Sequence, residues 1–259
     1  MTAFNDDTIA APGWLEKLLE ARAPFEFAAL LAVLPWLPLV PRGDGHPVLV
    51  FPGMLGTNLS TRPLRLVLRA LGYKAYGWNQ GRNLGPRPKV LAESLALIRA
   101  LRHQHGRSVS LIGQSLGGIY ARELAKQAPN DVRQVITLGT PFTGRHESNG
   151  ASRLYDALNN REYLDPAARA GVRTAPPVPT TSIYSRTDGV VAWRSSIEAP
   201  GPQTESINVP AASHVGMAVN PIVLKIIAQR LAQPEGQWKP YATRRSTAPE
   251  SRFTVNGNQ

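Results

Sequence analysis

Gly113-Gln114-Ser115-Leu116-Gly117 sets a serine midway between two glycines. The stretch directly follows the apolar run VSLI and directly precedes LGGIYARELAKQ, which reads as a helix. A serine at such a sharp strand-to-helix turn presents its hydroxyl outward, and the glycines remove side chains that would strike the adjoining backbone. The helix start behind it also favours negative charge developing nearby. A serine hydroxyl is a weak nucleophile until a base takes its proton. The chain has no cysteine, which excludes a thiol nucleophile, disulfides and thiolate metal sites. Its five histidines are His46, His103, His105, His146 and His214. His103 and His105 form the one close pair, with no carboxylate beside them, so no metal is expected.

The elements that must position these groups follow from the apolar pattern. Residues 14–40 read as one or two helical segments ending in a turn around Gly43 and Gly45. HPVLVFPG is a short β-branched strand closed by Pro52-Gly53. Thr61 and Pro63 open a helix as cap and first-turn proline, Leu64, Leu68 and Leu71 give it an apolar face, and Gly72 closes it. YKAYGW reads as a strand, 90–105 as a helix, and VRQVITLGTP as a further strand after the serine's helix. TTSIYSRTD and TESINVP complete the strands, and 219–231 is the last helix. Strands alternating with helices predict one α/β domain over 46–232, its mostly parallel sheet covered on both faces. The alternation lapses over about 142–179, where short helical pieces and prolines suggest a small helical lid insertion. Residues 1–45 are expected to be an N-terminal helical segment packed on the domain, and 233–259 a polar, loosely attached tail.

In sheets that carry a nucleophile elbow the chain order is nucleophile, acid, base. His146 and His214 follow Ser115, and His146 precedes any suitable acid. His214, in the small-residue loop Ala-Ala-Ser-His-Val-Gly between the last strand and last helix, is therefore the expected base. Asp188 ends the apolar strand SIYSRTDGVV and is the expected acid, orienting the imidazole; Asp156 and Asp165 stand in reserve. An acyl-transfer site also needs two backbone N–H groups for the oxyanion, each worth about 3 kcal/mol of transition-state stabilisation. Leu116, just after the nucleophile, supplies one. In FPGMLGT, Pro52 has no N–H and Gly53 leaves room for substrate, so Met54 is the expected second donor.

Together VLVFPGMLGT, LIGQSLGG, ITLGTPFTG, YSRTDGVV and SHVGM resemble the α/β-hydrolase superfamily, and within it the lipase and esterase branch. The resemblance covers roughly residues 45–232, and GTPFTGRHESNGASRLYDAL is similar to the start of a lid region. Many bacterial lipases have His-Gly where this chain has Pro52-Gly53. The resemblance implies cleavage of carboxylic esters through an acyl-enzyme, without a cofactor. It leaves open acyl transfer or lipid remodelling on the same scaffold, and a non-catalytic binding protein would call for a broken triad.

The chain has 259 residues, 29 Lys+Arg against 18 Asp+Glu, and a formal net charge of +11. Its basic residues are scattered, without an aromatic-interleaved basic stretch, so no nucleic-acid partner is expected. The expected partner is a small-molecule or lipid ester. The apolar run 27–40 is short and broken by Pro35 and Pro38. It reads as a helix covering the sheet or, functionally, as a peripheral membrane contact. The acidic start MTAFNDDTIA is unlike a secretory signal, which points to a cytoplasmic protein peripheral to the membrane at most.

Overall fold

The computed structural model describes residues 9–85, 87–143 and 171–241. Six strands form one sheet: β1 (Pro47–Phe51), β2 (Lys74–Gly77), β3 (Val109–Gln114), β4 (Val132–Leu138), β5 (Thr180–Tyr184) and β6 (Thr204–Asn208). Their spatial order is β2-β1-β3-β4-β5-β6, and every neighbouring pair is parallel. All residues of β1, β4 and β5 are buried, because helices cover both faces of the sheet.

The pleat divides each strand between two apolar layers. Val48 and Val50 of β1 face a layer built by α3 (Arg62–Ala70), α6 (Pro221–Leu231) and Leu30 of α2 (Ala23–Val33). Leu49 and Phe51 face the other, built by α4 (Pro88–His105) and α5 (Leu116–Gln127). The chain leaves β1 for one side of the sheet and later returns to its other side as β3. The carboxyl ends of β1 and β3 therefore flank the point where strand order reverses, the crevice in which such sheets bind ligands. FPGMLGT leaves β1 and Ser115 leaves β3, so both open onto this crevice.

Local details differ from the sequence reading in instructive ways. Thr61 sits at the start of α3 but its side chain caps no helical N–H. Its hydroxyl instead donates to the Asn58 carbonyl and accepts from Arg65 Nε. The arginine face of α3 is only partly solvated, since Arg65 also donates to Asn58 O and Arg69 to Ala75 O. α4 begins at Pro88, because proline suits a helix's first turn. The N-terminal segment runs as α1 (Trp14–Leu19), one turn of 3₁₀ helix (Glu20–Arg22), α2 and a second 3₁₀ stretch, Leu34–Leu39. No helix among the described residues is long and apolar enough to cross a membrane.

Most of the stretch expected to form a lid, 144–170, lies outside the described residues, as do Asp156, Asp165, His146 and the tail beyond 241. The borders of that stretch meet at Arg122 of α5. Its guanidinium lies 4.0 Å from the Phe142 ring centroid, bonds the carbonyls of Val172, Arg173 and Thr174 at 3.2 Å, and pairs with the buried Glu198. Residues 233–241 return to the sheet: Lys239 O accepts from Arg230 and Tyr241 N–H donates to Glu205.

Candidate active site

Ser115 occupies the one-residue turn between β3 and α5 with φ of 51° and ψ of −124°, backbone that a residue with a Cβ adopts only under strain. The turn is so tight that a Cβ on Gly113 would lie 2.3 Å from Gly117 O, and one on Gly117 2.5 Å from the carbonyls of Phe51 and Pro52. Gly118, outside the motif, fits directly against Thr140. The glycines thus let α5 press onto β1, β3 and β4, and that contact drives Ser115 outward. Its side chain is only partly buried, whereas the residues of β3 before Gln114 are fully enclosed.

Asp188 lies in the turn after β5 and His214 in the loop after β6. His214 Nδ1 is 2.7 Å from Asp188 Oδ2, and both residues are buried. Asp188 Oδ1 accepts the N–H groups of Val190 and Val191 at 2.9 and 2.7 Å, which fixes the plane of the carboxylate. A carboxylate only accepts, so Nδ1 carries the ring proton and Nε2 keeps its lone pair. Burial by itself would depress the His214 pKa; the charge of Asp188, its hydrogen bond and the charge of Glu20 outweigh it and raise the value.

The pair touches the residues on either side of the Ser115 turn's contacts. Gln114 Nε2, one residue before Ser115, donates to His214 O at 2.9 Å. Ser115 N–H donates to Leu138 O at 2.8 Å, and Gly139, the next residue, sits against the pair. A Cβ on Gly139 would stand 3.0 Å from both Asp188 Oδ2 and His214 Nδ1. Gly139 has φ of 54° and lets the backbone pass directly under the two side chains.

Leu116 is the first residue of α5, so its N–H has no intrahelical acceptor. Gly53 lies beside the serine, a Cβ there falling 3.5 Å from Ser115 Cβ. The N–H groups of Leu55 and Gly56 are taken by the carbonyls of Asn83 and Gly53. Met54 N–H makes no hydrogen bond among the described residues. The buried Asn83 braces this loop: Nδ2 donates to Pro52 O, its carbonyl accepts from Leu55 and its N–H donates to Gly56 O. The sequence reading passed over Asn83 as part of a Gly- and Asn-rich loop, since nothing local marks an amide that braces another loop 31 positions away.

Nothing local in the sequence marks a buried serine–histidine–aspartate array elsewhere in the sheet. His46 Nε2 is 2.8 Å from Ser110 Oγ and His46 Nδ1 is 2.5 Å from Asp44 Oδ1. It lies where β1 and β3 begin, at the end of the sheet away from Ser115. Ser110 and His46 are both 0% exposed, so no substrate reaches this hydroxyl. Its role is structural. Burial holds the His46 pKa down to about 4, with Arg133 and Arg107 contributing and Asp44 opposing. Burial would raise the Asp44 pKa, but hydrogen bonds from His46 and Arg133 outweigh it and hold the value well below the usual range.

The unfolded chain therefore binds a proton at His46 between pH 6.5 and 4 that the folded protein refuses, and stability falls as pH drops through that window. The full effect is about 3 kcal/mol. His214 acts with opposite sign, because its folded pKa is raised. Urea unfolding of the parent and of His46→Asn isolates the difference: stability of the parent declines more steeply from pH 6.5 to 4. Parallel pH dependences in the two proteins would refute this role.

No protein-family model and no curated protein matches the sequence. Solved structures do match. Aspergillus fumigatus lipase B aligns over 74% of this chain and 53% of its own, with 17% identity and a TM-score of 0.58; the chain thus spans about half the length of that lipase. An α/β superfamily hydrolase from Oenococcus oeni PSU-1 aligns over 72% of this chain and 91% of its own, with 16% identity and a TM-score of 0.51. A structure from work on the metagenome-derived lipolytic enzymes LipS and LipT aligns over 74% and 93%, with 18% identity and a TM-score of 0.52. At these identities the likeness is one of backbone, and with the parallel six-stranded sheet it gives the chain the α/β-hydrolase fold.

Proposed function

We propose that the protein is a serine hydrolase of carboxylic esters, with Ser115 as nucleophile, His214 as general base and Asp188 as the acid that orients it. The observation that carries this reading is the 2.7 Å Asp188–His214 bond at the rim onto which the strained Ser115 turn opens. Asp188 holds the Nδ1–H tautomer, so Nε2 is free to take the serine proton as the hydroxyl attacks the ester carbonyl. The carboxylate then stabilises the imidazolium. The N–H groups of Leu116 and Met54 hold the tetrahedral oxyanion. His214 returns its proton to the leaving alcohol, and water repeats the sequence on the acyl-enzyme.

The N-terminal surface favours substrates presented by a lipid surface. Trp14, Leu18, Phe25, Trp36 and Leu39 are each more than 60% exposed, all within the first 40 residues. α1 packs beside the turn of Asp188, Gly189 lying directly against Glu16 O, so the exposed Trp14 and Leu18 are carried next to that turn. Indole rings settle at the boundary between water and acyl chains, and the net charge of +11 favours anionic surfaces. The partner is then a lipid ester, met by peripheral contact with its aggregate.

A panel of p-nitrophenyl esters of rising chain length, assayed below and above the micelle threshold, tests both parts. Hydrolysis of long-chain esters that jumps above the threshold is expected. A smooth preference for short soluble esters would remove the lipid part alone, and no hydrolysis of any ester would remove the enzymatic reading.

A further inference from the structure

We propose that Glu20, on the 3₁₀ turn between α1 and α2, is a positioning residue that clamps the acid turn to the base loop and sets the charge around His214. The proposal rests on His214 being the general base. Glu20 Oε1 accepts the N–H groups of Gly189 at 2.9 Å and His214 at 2.8 Å, and Oε2 accepts that of Val215 at 3.1 Å. One carboxylate therefore joins the residue after Asp188 to His214 itself, across 169 and 194 positions of sequence.

The rest of the segment has the same orientation. Arg22 Nη2 donates to Thr187 Oγ1 at 2.7 Å, Thr187 O at 3.1 Å and Ala212 O at 2.6 Å, gripping both loops on their other side. Glu26 Oε1 accepts from Ser213 N–H at 2.6 Å, and Gly216 leaves room for its second oxygen. Three charged side chains spaced along 20–26 thus point inward at the loops that carry the acid and the base. Together with Asp188, they are the charged groups that face His214 or its loop from the N-terminal segment and from the β5 turn.

Backbone N–H groups donate to any oxygen, so if Glu20 were only a brace the amide oxygen of a glutamine would still take the Gly189 and His214 N–H groups and give up only the bond from Val215. A carboxylate adds negative charge beside an imidazole that becomes positive as the serine attacks, and that favours the imidazolium. The charges of Asp188 and Glu20 both act to raise the His214 pKa. Since catalysis needs the neutral base, the acid limb of the pH–rate profile reports this value.

The test compares the parent with Glu20→Gln, which keeps one oxygen acceptor and removes the charge, and with Glu20→Asp, which keeps the charge on a shorter stem. Two readouts are taken. The first is NMR titration of ¹³C-labelled histidine rings, with the His214 signal assigned by its loss in His214→Asn. The second is the pH profile of ester hydrolysis. In Glu20→Gln the His214 midpoint and the acid limb are expected to fall together by about half a pH unit or more. kcat falls roughly tenfold and KM stays within about twofold, the pattern of an interaction that strengthens in the transition state. Glu20→Asp restores the midpoint in part.

An unchanged His214 midpoint in Glu20→Gln would overturn the proposal, even if activity were lost. Should Glu20→Gln not fold, the isosteric pair Glu20→Asp and Glu20→Asn decides: the His214 midpoint lies lower in Glu20→Asn than in Glu20→Asp if the charge acts, and the same midpoint in both would overturn the proposal. A parent protein that hydrolyses no ester would sink the functional reading, while the ring titration would still show whether Glu20 governs His214.

Discussion

Ser115→Ala is expected to lower kcat for p-nitrophenyl ester hydrolysis by roughly 10⁵- to 10⁶-fold, leaving the far-ultraviolet circular dichroism and the unfolding midpoint close to those of the parent. The size of the effect follows from the chemistry. Without the hydroxyl no acyl-enzyme forms, and only the oxyanion donors and substrate binding remain to assist attack by water. The fold is spared because the turn is held by contacts that alanine keeps. Its N–H still donates to Leu138 O and its carbonyl still accepts from Gly118 N–H. The positive φ is no worse for alanine than for serine, and the close approaches at Gly113 and Gly117 involve backbone only. Labelling by a fluorophosphonate gives a second reading of the same prediction: the parent gains one adduct on the peptide containing Ser115, and the variant gains none. Retention of turnover in Ser115→Ala would end the serine mechanism.

Asp188→Asn is expected to lower kcat by roughly 10⁴-fold with little change in KM. The hydrogen bonds of Asp188 dictate how the amide must sit. Oδ1 is held by two backbone donors, Val190 and Val191 N–H, so the asparagine oxygen stays there and its NH₂ group turns to His214 Nδ1. An NH₂ group donates, which forces Nδ1 to accept and moves the ring proton to Nε2, the nitrogen that must take the proton of Ser115. The imidazole stays in place in the wrong tautomer. The His214 pKa falls at the same time, because its largest favourable influence, the charge of Asp188, is gone. Activity in Asp188→Asn within tenfold of the parent would show that another carboxylate orients the base.

The serine turn was legible because its requirements are local. A strand, a serine between glycines and a helix are contiguous in the chain, and the steric need for Gly113 and Gly117 is met within a few residues. The alternation of strands and helices was legible for the same reason, since hydrophobic period depends on near neighbours. His214 and Asp188 are candidates through chain order and position at strand ends, which narrow the choice without any local signature; that their side chains meet is a property of the fold. Asn83, Glu20 and the His46–Ser110 array left no such trace. Each acts through hydrogen bonds to residues far away in sequence, and side-chain types such as these are common on ordinary surfaces.

The amino-acid sequence by itself thus determined the parallel α/β architecture, the strained serine turn and the exclusion of thiol chemistry, all consequences of residue type and short-range spacing. Only the tertiary structure decided that the His46–Ser110 array is sealed from solvent while the Ser115 turn is not, and that the N-terminal segment reaches back to the loops of Asp188 and His214. The reason is physical: burial and long-range hydrogen bonds are properties of the packed sheet, created when β3, β4 and β5 come together and the helices close over them.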